Sequence, residues 1–195
     1  MAEVITKTYL ENSKIVNQCD IFKNVEFIEY VKEVENVIEV SKIVFPYVIV
    51  LTQACDLQQD YNARKKISES QTGNQDKFLI SVIVAPIYNF EDFRTGTQLE
   101  QLGYKMQDQG RRTKSKCSNI MKNEDKRYHY LNFDDTVEMV ESVIDFKHYF
   151  SVTVNYLNDI YEDSYICSID SLYRELISQR FSNFLSRIGL PDPLE

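Results

Sequence analysis

The chain has 195 residues, 22 Lys and Arg against 30 Asp and Glu, and a formal net charge of −8. That length fits one domain with its own core, and 13 Tyr and 11 Phe beside only 5 Gly and 4 Pro exclude a disordered or low-complexity chain. The acidic balance argues against a duplex-DNA binder. No apolar run reaches the ~18 residues that span a bilayer, and Met1 to Leu10 lacks a signal-peptide core. The expectation is a soluble cytoplasmic protein without membrane contact. Cys19, Cys55, Cys117 and Cys167 form no CxxC pair, and with two His in the chain a structural zinc site is not expected; neither metal nor cofactor is called for.

In chain order, Asp20 to Glu33 is rich in Ile, Val, Phe and Tyr and predicts a strand with a bulge near Asn24. Val37 to Ile43 alternates and predicts a half-buried antiparallel strand. Tyr47 to Thr52 is nearly all apolar after Phe45-Pro46, as in a strand buried on both faces. Ala54 to Lys66 predicts a short helix, Glu69 to Lys77 a loop, and Phe78 to Ile87 a buried strand. Phe93, Leu99, Leu102 and Met106 have roughly helical spacing, which Gly96 and Gly103 weaken. Arg111 to Lys126 has no apolar periodicity and reads as a mobile loop. Arg127 to Phe133, Ser142 to Val154 and Tyr165 to Ser168 read as strands. Asp170 is a candidate N-cap for a last helix whose apolar stripe is Leu172, Leu176, Ile177, Phe181, Phe184, Leu185 and Ile188, ending at Gly189 and Pro191.

Strands early, a helix late and no βαβ alternation predict an α+β domain: a small antiparallel barrel or bent sheet with helical insertions and an amphipathic C-terminal helix. Residues 1–195 form one domain in this reading. Barrel strands lie within 18–88 and 127–168, an insertion with the basic loop over 89–126, and the helix over 169–189.

Two clusters carry candidate chemistry. Thr52, Gln53, Cys55 and Asp56 leave the end of a buried strand, and Cys55 with Asp56 and His129 would supply nucleophile, orienter and base for a Cys-dependent hydrolase. The bland alternative is a small buried thiol with Asp56 capping the next turn. Lys126-Arg127-Tyr128-His129-Tyr130 mixes cations, aromatics and an imidazole, a composition suited to stacking on bases and pairing with phosphate. On a strand, Arg127 and His129 would share one face and Tyr128 and Tyr130 the other; the alternative is a sheet strand with one face in the core. Lys105 to Arg127 holds eight basic residues against three acids, either an RNA or anion contact through Arg111, Arg112, Lys114 and Lys116 or a solvated loop. His148, in an apolar setting, reads as structural. No Gly-rich phosphate loop, Walker-type Lys or GxSxG elbow is present.

Four islands in order resemble the MazF/PemK family of bacterial growth-inhibiting toxins. These are Cys19-Asp20-Ile21-Phe22-Lys23-Asn24-Val25, Phe45-Pro46-Tyr47-Val48-Ile49-Val50-Leu51-Thr52, Ser81-Val82-Ile83-Val84-Ala85-Pro86-Ile87-Tyr88, and Ser142-Val143-Ile144-Asp145-Phe146 with Arg187-Ile188-Gly189-Leu190. The resemblance implies an SH3-like barrel with a C-terminal helix. It also implies ribonuclease chemistry from an Arg just before the Pro and a Thr or Ser ending the later strand. Here those positions hold Phe45 and Tyr88, and a Phe cannot stabilise a pentacovalent phosphate. Thr52-Gln53-Ala54-Cys55-Asp56-Leu57 is also similar to a segment of uncharacterised bacterial proteins. The resulting expectation is a binding or regulatory module of toxin–antitoxin or defence type without the usual ribonuclease site. The barrel edge and the exposed side of the last helix would meet a protein partner or a second copy. The alternative is a single-strand endoribonuclease with His129 as acid/base and Arg127 as phosphate stabiliser. Gln53, Tyr88, Tyr128 and Tyr130 join the basic loop as candidate ligand-binding residues.

Overall fold

The computed structural model describes residues 5–11, 13–70, 74–110 and 114–187, with backbone alone for residues 70 and 114–116. Eight strands form one curled antiparallel sheet: β1 (Thr8–Tyr9), β2 (Asp20–Val34), β3 (Val37–Val50), β4 (Val82–Asn89), β5 (Tyr128–Leu131), β6 (Ser142–Asp145), β7 (Phe150–Val152) and β8 (Tyr165–Ile169). Their order is β1-β8-β2-β3-β4-β6-β5, with β7 beside β4 as well. The two ends of the sheet meet where Thr6 bridges Phe133 and the Thr6 N–H donates to the Asn132 carbonyl at 2.6 Å. The helices are α1 (Ala54–Ser70), α2 (Phe90–Thr95), α3 (Lys114–Met121), α4 (Val154–Asp159), α5 (Tyr161–Ser164) and α6 (Ser171–Leu185). The predicted α+β class, a bent antiparallel sheet with helical additions and a C-terminal helix, is the observed one.

The sheet is buried on both sides, which explains the unbroken apolar runs. One side carries Ile21, Ile49, Ala85, Ile87, Leu131, Ile144 and Phe146 under Ile177, Phe181 and Phe184 of α6. Another packs Phe22, Val48, Val50, Val82 and Val84 against Leu57 of α1, Leu157 of α4 and Tyr161 of α5. A third group, Tyr88, Phe90, Phe93, Ile120, Tyr128, Tyr130 and Val143, lies under α2 and α3. Pro86 lacks an N–H, and it falls in the gap on β4 between the stretches paired with β7 (82–84) and β6 (87–89).

Several expectations need correction. β2 shifts register twice, against β8 between Ile21 and Phe22 and against β3 between Ile28 and Tyr30. Asn24 instead takes a left-handed φ of 54° without a slip. Val37–Ile43 is not half-buried; from Val37 to Val40 both faces are open to solvent. The 78–87 strand begins only at Val82, and Ile80 is fully open. The expected 91–107 helix stops at Gly96, whose φ of 81° caps α2; a Cβ there would approach the Met106 carbonyl to 2.7 Å. Only a 3-10 turn, Glu100–Leu102, follows. The expected loop over 111–126 contains α3, anchored by fully buried Ile120. Strand 142–154 is divided into β6, a 3-10 turn (Phe146–His148) and β7. Asp170 caps α6 as expected, accepting from the Leu172 N–H at 3.2 Å. On the expected stripe, however, Leu172, Leu176 and Leu185 are exposed, and Ile188, Gly189 and Pro191 lie outside the described residues.

Beyond the sheet body, β2 and β3 continue as a two-stranded arm. β8 pairs with β2 only at Asp20–Phe22, and β4 with β3 only at Tyr47–Val50. Glu35 and Asn36, both at positive φ (50° and 63°), make the two-residue turn between the Val34–Val37 pair.

Candidate functional site

The side-chain cluster best equipped for chemistry was not the one the sequence singled out. Pairing of β5 with β6 brings Tyr128 opposite Asp145, and pairing of β6 with β4 brings Val143 opposite Tyr88. Asp145, Val143, Tyr88 and Tyr128 therefore share one face. Arg127, just before β5, folds across to that face. Its Nε donates to Asp145 Oδ1 at 2.7 Å and its Nη2 to Oδ2 at 2.5 Å. Asp145 is buried and also accepts from the Lys147 N–H at 3.0 Å, capping the turn that carries His148. His148 Nδ1 stands 2.9 Å from Tyr88 Oη and 3.3 Å from Asp145 Oδ2, and its Nε2 is 3.5 Å from Arg127 Nη2.

A guanidinium can only donate, so His148 Nε2 is the acceptor and Nδ1 carries the proton. Burial pulls the His148 pKa below its ordinary value; Asp145 opposes this, and Arg127 and Lys147 reinforce it. The imidazole is therefore neutral near pH 7. Burial works against the Arg127 charge, but Asp145 outweighs it and holds the guanidinium above its ordinary value. Burial, aided by Asp145, pushes the Tyr88 hydroxyl up. Tyr128, under the Arg127 guanidinium at 4.9 Å, is pushed up to about 12 by burial and then Asp145. The cluster is a neutral base, a fixed cation and a phenol, with Arg127 and His148 about one-quarter exposed and Tyr88 and Asp145 closed off.

His129 is not part of it. The ring points to the α6 side, 6.4 Å from the Phe146 ring, and is 3% exposed. Burial, then Arg180, lowers its pKa to about 3. An acid/base role for His129 is not compatible with that enclosure, and Arg127 and His129 do not share a face as expected. Tyr128 and Tyr130 are core residues, packed edge-on against Phe93 and Phe90 at 4.8 and 5.0 Å, so their rings are not available for base stacking. Phe45 is buried and stacks on Phe150 at 5.1 Å.

Gln53, Cys55 and Asp56 open α1. The Gln53 carbonyl accepts from the Asp56 and Leu57 N–H groups, and Thr52 Oγ1 accepts from the Ile83 N–H at 2.7 Å. Cys55 is exposed, not buried, with Sγ 3.6 Å from Gln53 Oε1 and 3.6 Å from Asp56 Oδ1. His129 does not join it. The Leu51 N–H bonds to Ile83 at one end of β4, while His129 pairs with Ile144, itself opposite Ile87. Four residues of β4, roughly 13 Å, separate those positions, and they lie on opposite edges of that strand. The Cys–His–Asp arrangement is not assembled. Arg111 and Arg112 lie outside the described residues; Lys114 and Lys116 are on the backbone of α3.

Sequence reasoning missed His148 and Asp145 as site residues. The available signal was Asp145-x-x-His148 directly after an apolar strand, the spacing of a capped turn that returns a side chain to its cap. Among the described residues no three His, Cys, Asp or Glu side chains converge on a common point to hold a metal, and no helix is long and apolar enough to cross a membrane. Comparison with known proteins finds no matching family model, curated protein or solved structure.

Proposed function

We propose that the protein is a binding or regulatory module, of the toxin–antitoxin or defence type suggested by its sequence resemblance, that docks a different protein on the β2–β3 arm. One observation carries this reading. On β3, Ile38, Val40, Lys42 and Val44 share a face, and opposite them on β2 stand Glu33, Val31, Ile28 and Glu26. Ile28, Val31, Ile38, Val40 and Val44 make a continuous apolar stripe, each 47–69% exposed. A contiguous apolar patch of this kind on a projecting element marks an interaction surface, and the open strand edges beside it allow strand addition.

Charge favours a heterologous partner over a second copy. Lys32–Glu39 and Lys42–Glu26 are ion-paired within the arm at 2.8 and 2.5 Å. Glu29, Glu33 and Glu35 have no cationic partner among the described residues, so two arms would repel each other, and a partner with a Lys- or Arg-rimmed apolar surface is complementary. Phe45, where the family resemblance places an Arg, supports loss of the usual ribonuclease chemistry.

The test is a pull-down from the source cells, identification of what wild type retains, and reconstitution with purified components. The triple variant Val31→Ser, Ile38→Ser, Val40→Ser should keep its melting temperature and weaken the reconstituted complex by about 100-fold, roughly 3 kcal/mol of lost apolar burial, and added salt should weaken the wild-type complex. Equal binding by wild type and variant, no protein that distinguishes them, or a wild-type dimer dissociated by the triple substitution would each overturn the proposal.

A second reading is favoured by the Arg127–His148–Tyr88 geometry: cleavage of single-stranded RNA, in which His148 Nε2 takes the 2′-hydroxyl proton as the 2′-oxygen bonds to phosphorus, the P–O5′ bond breaks to leave a 2′,3′-cyclic phosphate, the 5′-oxygen leaves with a proton from water, and the Arg127 charge stabilises the phosphorane. It predicts cleavage of mixed-sequence RNA in EDTA that is lost in His148→Ala and Arg127→Ala. Intact RNA after incubation with folded wild type rejects it.

A further inference from the structure

Between the lead-in to β5 and the last two turns of α6 lies a cleft of about 330 Å³ lined by Lys126, Arg180, Asn183, Ser186 and Arg187. Three cations and two neutral polar side chains line it, and among the described residues no carboxylate does. On a chain of net charge −8 this is a local inversion of sign. We propose that this cleft is a binding site for a phosphate group.

The two arginines are held in place. Arg180 donates to the carbonyls of Asn123, of Asp125 at 2.5 Å and of Tyr128 at 2.7 Å, while its Nε is buried without a partner. Arg187 lies over the Phe184 ring at 3.7 Å and donates from Nε to the Phe184 carbonyl at 2.8 Å. Neither arginine, nor Lys126, forms an ion pair with a carboxylate among the described residues. Asp125 is the acid whose charge reaches Arg180, and its Oδ1 is taken by the Arg127 N–H at 2.8 Å. Carbonyls satisfy the hydrogen-bonding capacity of a guanidinium but not its charge, and burial lowers the Arg180 pKa in consequence.

The α6 C-terminus, capped at Ser186, adds about half a negative charge, well short of three formal positives. Arg187, bonded through Nε alone among the described residues, keeps its Nη pair as a fork suited to phosphate oxygens; Arg180, with both Nη groups already on carbonyls, contributes fixed positive charge, and Lys126 adds a third cation. Among the described residues no aromatic ring lines the cleft to stack on a base, so the phosphate is the recognised group.

Isothermal titration at 0.15 M ionic strength tests the site with inorganic pyrophosphate, a 5′-mononucleotide, the matching nucleoside, and a short single-stranded oligonucleotide with and without a 5′-phosphate. The expected result is saturable binding of the phosphate-bearing probes and none of the nucleoside. Lys126→Gln/Arg187→Gln should weaken binding at least tenfold at unchanged melting temperature. Lys126→Gln alone, at an exposed side chain, should weaken it in the same direction. Oligonucleotide binding that needs the 5′-phosphate assigns the source to a strand end, and binding that does not assigns it to internal phosphodiesters. No saturable binding of any phosphate-bearing probe, or affinities unchanged in the double variant, overturns the proposal.

Discussion

Asp145→Ala is expected to lower the unfolding free energy by about 3–5 kcal/mol, a large share of the 5–15 kcal/mol typical of a domain. The carboxylate is 1% exposed, takes both Arg127 bonds and caps the turn at Lys147. Its removal strands a half-buried guanidinium and frees the turn that places His148. Urea unfolding of Asp145→Ala, Arg127→Met and the double variant measures this. The double variant should be less destabilised than the sum of the singles, because removing both charges leaves no unpaired cation. Additive losses, or a single-variant cost below about 1 kcal/mol, the value of an exposed pair, would mean that Asp145 does not organise the cluster.

The pH dependence of stability should hide two large opposing contributions, one on each of two buried groups. Asp20 is fully buried, accepting from the Asn17 N–H at 2.7 Å and Ser168 Oγ at 2.6 Å. Burial outweighs those bonds and raises its pKa from 3.8 to about 7. Between those values the folded state holds a proton that the unfolded chain has lost, so this contribution is complete below pH 3.8 and is lost as pH rises through 7. His129 moves the other way, from 6.5 to about 3. The unfolded chain takes its proton first, so this contribution is complete above pH 6.5 and is lost as pH falls toward 3.

Each amounts to about 1.4 kcal/mol per pH unit, and between pH 6.5 and 4 they nearly cancel. Asp20→Asn removes one arm of the balance. Relative to wild type it should be more stable by about 4 kcal/mol at pH 8, with the difference shrinking to about zero at pH 4. Denaturant midpoints of the two proteins across pH 4–8 test this, and a difference that does not change with pH would show that Asp20 is ionised alike in both states.

Much of the scaffold is legible in local sequence. Tyr47 to Leu51 is apolar without alternation, and it is the central strand covered on both sides. Asp170 followed by an apolar stripe is a capped helix, although its exposed leucines show that the stripe is wider than the face the sheet covers. Gly96 and Gly103 were visible as weaknesses in a helical pattern, and both take the positive φ that ends a helical turn. What composition hid was α3, because a helix with one buried side chain among those described, Ile120, leaves almost no periodic trace.

The sequence by itself determined the class of the domain, since runs of apolar residues, caps and turn residues act over a few positions and need no distant partner. The tertiary structure decided which polar residues meet and which apolar ones stay open. Arg127 and His129 are near neighbours in the chain, yet strand alternation sends His129 under α6 while the β5–β6–β4 registers deliver Asp145, His148 and Tyr88 to Arg127. Ile28, Val31, Ile38, Val40 and Val44 have the composition of a core strand. They remain at the surface because β8 and β4 end short of them, and strand length relative to its neighbours is a property of the assembled sheet, not of any one segment.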